Sequence, residues 1–160
     1  MDKPDIKEEV KDIFTKYLTT KKHRKTPERY AILNYVYDMN KHFEMETLYQ
    51  KIINDNFQIS KATLYNTMDL LLDCGLVYKH QFGKNAANYE RAYGHDNHNH
   101  IICTGCGQVS EQKNENLFTN TMQKSIKKFT IHHYSMYIYG LCSKCSHAKR
   151  MEMKKLSGKN

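Results

Sequence analysis

Four cysteines in two Cys-x-x-Cys pairs carry the clearest chemical pattern in the sequence: Cys103 with Cys106, and Cys142 with Cys145. One such turn presents two thiolate donors, and two turns supply the four soft donors that a tetrahedral zinc ion prefers. Gly105 lies inside the first turn, where the backbone must fold back tightly. Because four thiolates leave no coordination position for water or substrate, the pattern predicts one structural Zn2+ per subunit.

The alternative for these pairs is a set of redox disulfides. A redox Cys-x-x-Cys is tuned by its position at the start of a helix, and neither pair is predicted to open one, so the sequence favours zinc. The fifth cysteine, Cys74, follows a leucine-rich segment and is expected to be a buried apolar residue. An odd number of cysteines without an apolar leader is typical of a protein of the reducing cytoplasm.

A second group of possible ligands lies next to the first cysteine pair. His98 and His100 alternate along a predicted strand, so both imidazoles can point to the same side. Glu90 and Glu111 add oxygen donors before and after them. Mixed imidazole and carboxylate donors suit Fe(II), Mn(II), Co(II) or Zn(II) without choosing among them. Two histidines two residues apart are, by themselves, equally consistent with a solvent-facing strand.

The residues before position 93 are predicted to form helices followed by a β-hairpin. Apolar residues at three- and four-residue steps predict an opening helix, and Thr26-Pro27 is typical of the start of a second. A third begins at about Glu46, and a fourth runs from Ser60 to Asp73. Residues 76–78 and 88–91 then flank a Gly-Lys-Asn turn. This order predicts a winged helix-turn-helix domain.

In the fourth helix, Leu64 and Met68 belong to an apolar stripe, whereas Thr63, Asn66 and Thr67 are predicted to lie roughly opposite it. This helix is therefore the candidate recognition helix of the winged helix-turn-helix domain, the one whose exposed face would contact DNA bases. Tyr65 lies near the stripe, so its packing beneath the helix is the alternative to an exposed, reading position.

The second half combines short strands at 98–102, 108–110 and 136–139 with a helix at 116–129. The fold class is thus α+β, with a winged-helix domain at 1–92 and a small α/β domain with the four-cysteine zinc site at 93–147. Residues 148–160 are basic and poor in apolar side chains, and they are predicted to be a disordered tail.

Composition limits the class of protein. The 160 residues are 39% hydrophobic and 26% charged, as in a folded, soluble protein, and no apolar run reaches the roughly 18 residues that a membrane span needs. The net charge of +8 suggests a polyanionic partner. Residues 1–90 hold 14 basic and 13 acidic side chains, a net charge of only +1. The net charge of the predicted winged-helix domain therefore does not by itself indicate that this domain binds the polyanion.

Five motifs in register resemble the ferric uptake regulator family of bacterial metalloregulators. They are Thr26-Pro27-Glu28-Arg29, Ser60-Lys61-Ala62-Thr63-Leu64-Tyr65, Asp73-Cys74-Gly75-Leu76-Val77, the segment from His98 to Gly107, and Tyr137-Ile138-Tyr139-Gly140-Leu141-Cys142. The resemblance implies a cytoplasmic homodimer with N-terminal DNA-binding domains and C-terminal dimerisation domains.

The resemblance also implies roles for individual residues. It places the structural zinc on the four paired cysteines and a regulatory metal, Fe2+ or another divalent transition metal, at the junction between the domains. The implied regulatory ligands are His42, Glu90, His98, His100 and Glu111. The implied contacts to double-stranded operator DNA come from Thr63, Tyr65 and Asn66, with Lys61, Arg24 and Arg29 on phosphates or in the minor groove.

Several positions depart from the family pattern. Many relatives have a basic residue where this chain has Asn66, which changes the expected operator. A third metal site of the family is predicted to be missing because its positions read Asn97, Asn99 and Tyr134. Peroxide-sensing relatives favour aspartate at the positions of the two glutamates, and zinc-sensing relatives often replace the first histidine of the strand by cysteine.

The sequence therefore predicts a metal-responsive transcriptional regulator, most simply an iron-responsive repressor, and not an enzyme. Zinc-, manganese-, haem- and peroxide-responsive members of the family are the alternatives. From other classes, a zinc hydrolase or deaminase would need an open zinc beside a general acid or base, and the motif H-x-E followed by P-C-x-x-C is absent. A thiol redox switch that acts through the cysteine pairs is the remaining rival.

Overall fold

The computed structural model describes residues 6–81, 87–94, 98–113, 128–129 and 134–157. The chain divides into two compact units, Met1–His95 and Asp96–Asn160. The division lies close to the predicted domain boundary between residues 92 and 93. Each unit contains its own three-stranded sheet.

Four helices form most of the first unit. They are α1 (Ile6–Thr20), α2 (Pro27–Tyr37), α3 (Met45–Asn54) and α4 (Lys61–Asp73). Each contributes an apolar face to one core, with Phe14, Ile32, Leu48 and Leu64 among its fully buried side chains. Burial of such side chains, about 1.5–3 kcal/mol each relative to exposure, is the main force that holds the helices together.

The ends of these helices follow the sequence signals. α2 starts at Pro27, as predicted, although the hydroxyl of Thr26 makes no capping bond. α4 is capped by Ser60, whose Oγ accepts a hydrogen bond of 3.0 Å from the backbone N–H of Thr63. The chain leaves α4 through Gly75, whose φ of +71° is a left-handed conformation that favours glycine.

A three-stranded antiparallel sheet completes the first unit. Its strands are β1 (Phe43–Glu44), β2 (Val77–His80) and β3 (Asn88–Arg91), in the order β1-β3-β2. The predicted hairpin corresponds to β2 and β3, and its turn lies outside the described residues. The sequence did not predict β1, which pairs Phe43 with Tyr89. With the four helices, this sheet confirms the winged helix-turn-helix fold.

The second unit contains β4 (His98–Cys103), β5 (Val109–Lys113) and β6 (Met136–Gly140). The sheet has the order β5-β4-β6, in which β4 is antiparallel to β5 and parallel to β6. The helix predicted at 116–129 lies almost entirely outside the described residues. The mixed sheet in this unit and the helical first unit confirm the α+β fold class.

The C-terminal segment differs from its prediction. Residues 148–157 of the predicted disordered tail belong instead to a helix, α5 (Ser143–Ser157), in which no residue is buried, and residues 158–160 lie outside the described residues. The reason is its composition: Lys, Arg, Met, Glu, Ala and Leu are all strong helix formers, and the segment contains neither Gly nor Pro. The prediction gave the positive charge of this segment more weight than the helix propensity of its residues. Among the described helices, none has the length and apolarity to cross a membrane.

Candidate metal centres and nucleic-acid interface

The four paired cysteines lie together in the second unit. Their Sγ atoms are all within 4.8 Å of one another, and none of the cysteines forms a disulfide. The Sγ atoms of Cys106 and Cys142 are 3.9 Å apart. Four sulfurs at ~2.3 Å from a zinc ion would be about 3.8 Å from each other, so the group has the dimensions of a tetrahedral zinc centre.

Strand pairing brings the two cysteine pairs together. β4 and β6 run in parallel, with Cys103 opposite Gly140, and the backbone N–H of Thr104 donates to the carbonyl of Gly140 at 2.7 Å. Gly105 allows the close approach of the turns, because a Cβ at that position would lie 3.0 Å from both the Cβ and the Sγ of Cys145.

The sulfur atoms need a cation for electrostatic reasons. The backbone N–H groups of Cys142, at 3.2 Å, and of Cys106 donate to the Cys103 sulfur and lower its pKa to about 6. Cys145 has the opposite environment: hydrogen bonding with the Cys142, Cys103 and Cys106 sulfurs raises its pKa to about 12. Ionising all four thiols would place like charges next to one another, and a divalent ion among them would compensate those charges. The donor set fits zinc.

The second cysteine pair corrects one expectation about redox chemistry. Cys142 immediately precedes α5 and Cys145 lies in its first turn, so this pair does open a helix, contrary to the prediction. The zinc centre is favoured instead by the convergence of both pairs on one point.

Cys74 was expected to be buried and is only half-buried; its thiol contacts the carbonyl of Leu71, and burial raises its pKa to about 11.

A separate group of donors lies in the first unit. Because Phe43 of β1 pairs with Tyr89 of β3, His42 falls beside Glu90, the next residue of β3. His42 Nε2 is 3.0 Å from Glu90 Oε2, and His80 Nε2 is 2.7 Å from Glu90 Oε1. Glu90 and His80 are only 5% and 2% exposed. The two imidazoles thus bracket one buried carboxylate.

His80 is a candidate ligand that the sequence analysis missed. A signal for it exists in the hairpin, where His80 pairs with Asn88 and therefore lies diagonally across from Glu90 on the same face. Neither periodicity nor the family resemblance pointed to it, because its relation to Glu90 depends on the register across a turn.

The second unit holds another set of imidazole and carboxylate groups. The rings of His98 and His100 have centroids 4.7 Å apart on β4, as the strand alternation predicts. His100 pairs with Glu111 of β5, and donor atoms of His98 and Glu111 lie within 4.8 Å of each other. Of the predicted regulatory residues, His42 and Glu90 therefore belong to the first unit, and His98, His100 and Glu111 belong to the second.

Two of the three residues at the positions of the family's third metal site, which is predicted to be missing here, lie within the described residues. Asn99 is buried in β4, on the opposite face of the strand from its two neighbouring histidines, and Tyr134 is half-buried. Asn97 lies outside the described residues.

The outer face of α4 is available to a partner. Tyr65 is 48% exposed and Asn66 is exposed, whereas Leu64 and Met68 are fully buried, so Tyr65 does not pack beneath the helix. Thr67 corrects the prediction: it is buried, and its hydroxyl donates to the carbonyl of Thr63 at 2.8 Å. A threonine can satisfy its hydroxyl on its own helix in this way and then pack as an apolar residue.

The predicted DNA contacts fall into two groups. Arg24, Arg29, Thr63 and Asn66 line one groove, and the Arg29 guanidinium donates to the carbonyl of Arg24. Lys61 and Tyr65 do not line this groove. The Lys61 ammonium is 2.7 Å from a carboxylate oxygen of Glu46 and lies over the ring of Tyr49. The ion pair is half-exposed and screened by water, so a phosphate could replace it at little cost.

Comparison with known proteins gives a consistent result. The profile of the ferric uptake regulator family matches residues 20–139. The peroxide-responsive repressor PerR of Staphylococcus aureus is 32% identical over 126 residues, which cover 76% of this chain and 82% of that protein.

Solved structures of ferric uptake regulators are similar to this chain as well. The crystal structure of the Vibrio cholerae ferric uptake regulator covers 86% of this chain and 100% of its own, with 28% identity and a TM-score of 0.59. The Helicobacter pylori regulator covers 91% and 97%, with a TM-score of 0.70 and 18% identity, a likeness of fold alone.

Replacing Cys103 by Ser should release the zinc and destabilise the second unit, because a structural site contributes its binding free energy to folding. Zinc per chain, measured by elemental analysis after dialysis, should fall from one to near zero, and native mass spectrometry should show the same loss. Cys74→Ser is the matched control and should keep its zinc. A Cys103→Ser protein that holds one zinc as tightly as the wild type would contradict the assignment.

Proposed function

The chain belongs to the ferric uptake regulator family of metal-responsive transcriptional regulators, and from that membership we propose that it is a cytoplasmic, homodimeric repressor that binds operator DNA when loaded with Fe2+ or a similar divalent metal. One observation carries the proposal: each unit presents its own imidazole and carboxylate donors. We assign the regulatory metal to His42, Glu90, His98, His100 and Glu111, and the structural Zn2+ to the four paired cysteines.

The distribution of these donors supports a switch. His42 and Glu90 belong to the unit that contains α4, whereas His98, His100 and Glu111 belong to the other unit. Donors on two units that share one ion stabilise only those arrangements in which they meet, so metal binding shifts the population of domain arrangements. The structure of the Vibrio cholerae regulator, which records a rearrangement of its DNA-binding domains, supports this kind of mechanism.

We assign operator recognition to α4. In a dimer, two copies of this helix would enter successive major grooves, with Tyr65 and Asn66 facing the bases. Asparagine can form two hydrogen bonds with adenine, and a tyrosine ring can pack on thymine methyl groups. Arg24, Arg29 and Lys61 would contact phosphates and so set the position of the helix without reading the sequence.

The proposed dimer uses the exposed edge of the second sheet. In the order β5-β4-β6, β6 is the edge strand of the described sheet, and its side chains Tyr137, Ile138 and Tyr139 are between 38% and 55% exposed. An apolar edge strand is a template for pairing with another chain. A second copy related by a two-fold axis can cover it, because the same strand then pairs with itself.

A second candidate within the family is a peroxide-responsive repressor. The observation that favours it is the 32% identity to the Staphylococcus aureus repressor, although this chain has glutamates where peroxide-sensing relatives favour aspartates. Treating the iron-loaded and manganese-loaded proteins with hydrogen peroxide separates the two. Loss of DNA binding in the iron-loaded protein alone would favour the peroxide-responsive candidate.

The geometry of the four cysteines favours a regulator over an enzyme or a thiol switch. Four sulfurs that surround one ion leave no position for a substrate or a hydrolytic water. A redox switch would need its thiols accessible to alkylation while zinc is bound, which provides a simple test against it.

Tyr65→Ala should lower operator affinity by about 10- to 100-fold, which corresponds to the ~1–3 kcal/mol of one groove contact. Because the side chain is half-exposed, zinc content, dimerisation and melting temperature should remain those of the wild type. Fluorescence anisotropy on an operator selected from random DNA by the wild-type protein measures the affinity. Tyr65→Phe keeps the ring and should retain most of the binding; a Tyr65→Ala variant that binds normally would refute the role of this residue.

His98→Ala should keep the structural zinc and the dimer but require about 10- to 100-fold more Fe2+ or Mn2+ for half-maximal operator binding, since loss of one metal contact weakens binding at least this much. His147→Ala is the control, because His147 is exposed on α5, belongs to neither donor group and does not line the groove assigned to DNA contacts. Anaerobic titration of free metal at fixed operator DNA gives the midpoint. Unchanged midpoints for His98→Ala would count against the proposed regulatory site.

A further inference from the structure

We propose that His42, His80 and Glu90 form a metal-binding triad that is complete within the first unit. The triad would hold Fe2+, Mn2+ or Co2+ without any donor from the second unit, and His80 would be one of its ligands. The inference deepens the proposed function: its regulatory meaning rests on that proposal, whereas metal binding by the triad can be tested independently.

The distances match those around a transition-metal ion. Two adjacent donors at ~2.1 Å from an octahedral ion lie about 3.0 Å apart. The contacts of the Glu90 carboxylate with His80 Nε2 and His42 Nε2, at 2.7 and 3.0 Å, are close to that separation. One donor atom from each of the three residues lies within 4.8 Å of the others. Small movements of the side chains would therefore admit an ion.

The chemistry of the group is specific. Two imidazoles and one carboxylate form the facial set that proteins use for Fe(II), with the other coordination positions left open. The imidazole rings of His42 and His80 meet edge to face, with centroids 5.5 Å apart and planes at 77°. The nitrogen of each ring contacts one oxygen of the same carboxylate, so all three residues can direct a donor atom at one ion.

The backbone supplies the rigidity that a site needs. His42 directly precedes β1, Glu90 lies in the central strand β3 and His80 ends β2, so three hydrogen-bonded neighbours position the three ligands. His80 and Glu90 are almost fully buried, and the His42 side chain is 11% exposed. Ligands held on a paired sheet keep their geometry better than ligands on free loops.

Burial makes this arrangement more than a chance cluster. An ionised carboxylate away from water is costly unless cationic or hydrogen-bonding groups compensate it. Without metal, the Nε2 atoms of His42 and His80 lie within hydrogen-bond distance of the Glu90 carboxylate, and with metal, shared ligation of the ion would take the place of these contacts. The same three side chains thus suit both the empty and the loaded state.

The regulatory consequence is an order of binding. If the triad takes up the ion alone, the unit that contains α4 is metal-loaded first, and His98, His100 and Glu111 then occupy positions that the triad leaves open. The second step would tighten metal binding and couple it to DNA affinity. His80 would affect the first step, and the three residues of the second unit the second step.

The test uses the full chain with its zinc in place. A variant that combines His98→Ala, His100→Ala and Glu111→Gln lacks the donors of the second unit. It is titrated with Co2+, whose visible absorption reports binding and whose near-ultraviolet sulfur band reveals any exchange into the cysteine centre. We expect one Co2+ per chain without the sulfur band, bound at least tenfold more weakly than by the wild type, in line with the loss of several ligands.

Adding His80→Gln to this variant should abolish that binding, since glutamine can still donate its amide N–H to Glu90 but is a poor metal ligand. His23→Gln, added instead, is the matched control and should change nothing. Circular dichroism and zinc content verify folding. If the His80→Gln protein is unfolded, His42→Gln in the same background serves the same purpose at a more exposed position.

The outcomes separate the inference from the proposed function. A combined variant that binds no Co2+, while the wild type does, would overturn the triad and leave the shared regulatory site standing. Binding that survives both His80→Gln and His42→Gln would also overturn it. Conversely, Co2+ held by the triad in a protein whose DNA binding ignores metal would support the triad and refute the proposed regulation.

Discussion

The buried carboxylate of Glu90 is the constraint on which the first unit's metal chemistry depends. A charge in that position must be compensated, and the compensation comes from one imidazole on each side. This requirement gives a second role to β1, a strand of only two residues that packs Phe43 into the core and also fixes the loop containing His42. It also makes the register of the hairpin important, since a shift of one residue would turn His80 to the face of the sheet opposite Glu90.

The chain separates two kinds of metal chemistry. The four cysteines of the second unit have the geometry of a closed, soft site, in which a bound ion would hold β4, β6 and the start of α5 together. The imidazoles and carboxylates elsewhere are harder donors that leave positions open and suit ions in exchange with the cell. A structural ion that stays bound can thus support a regulatory ion that responds to supply.

The cysteine pairs were predictable because their spacing is local: each turn is complete within four residues. The alternation of His98 and His100 was predictable for the same reason, and the helices followed from apolar periodicity. His42 came only from the family resemblance, and His80 from neither source, because both depend on pairing between segments distant in sequence. The prediction for Thr67 was wrong because its hydroxyl bonds to the backbone of its own helix, which lets the side chain be buried. The prediction for the C-terminal segment was wrong because helix propensity outweighed its charge.

The central claim is that metal binding and operator binding are coupled through donors on both units. The direct measurement is the affinity of the zinc-loaded protein for Mn2+, determined by calorimetry with and without saturating operator DNA. Because such coupling is reciprocal, DNA should tighten metal binding by the same factor by which metal tightens DNA binding. Equal metal affinities in the two titrations would contradict the account and leave a DNA-binding protein that this metal does not control.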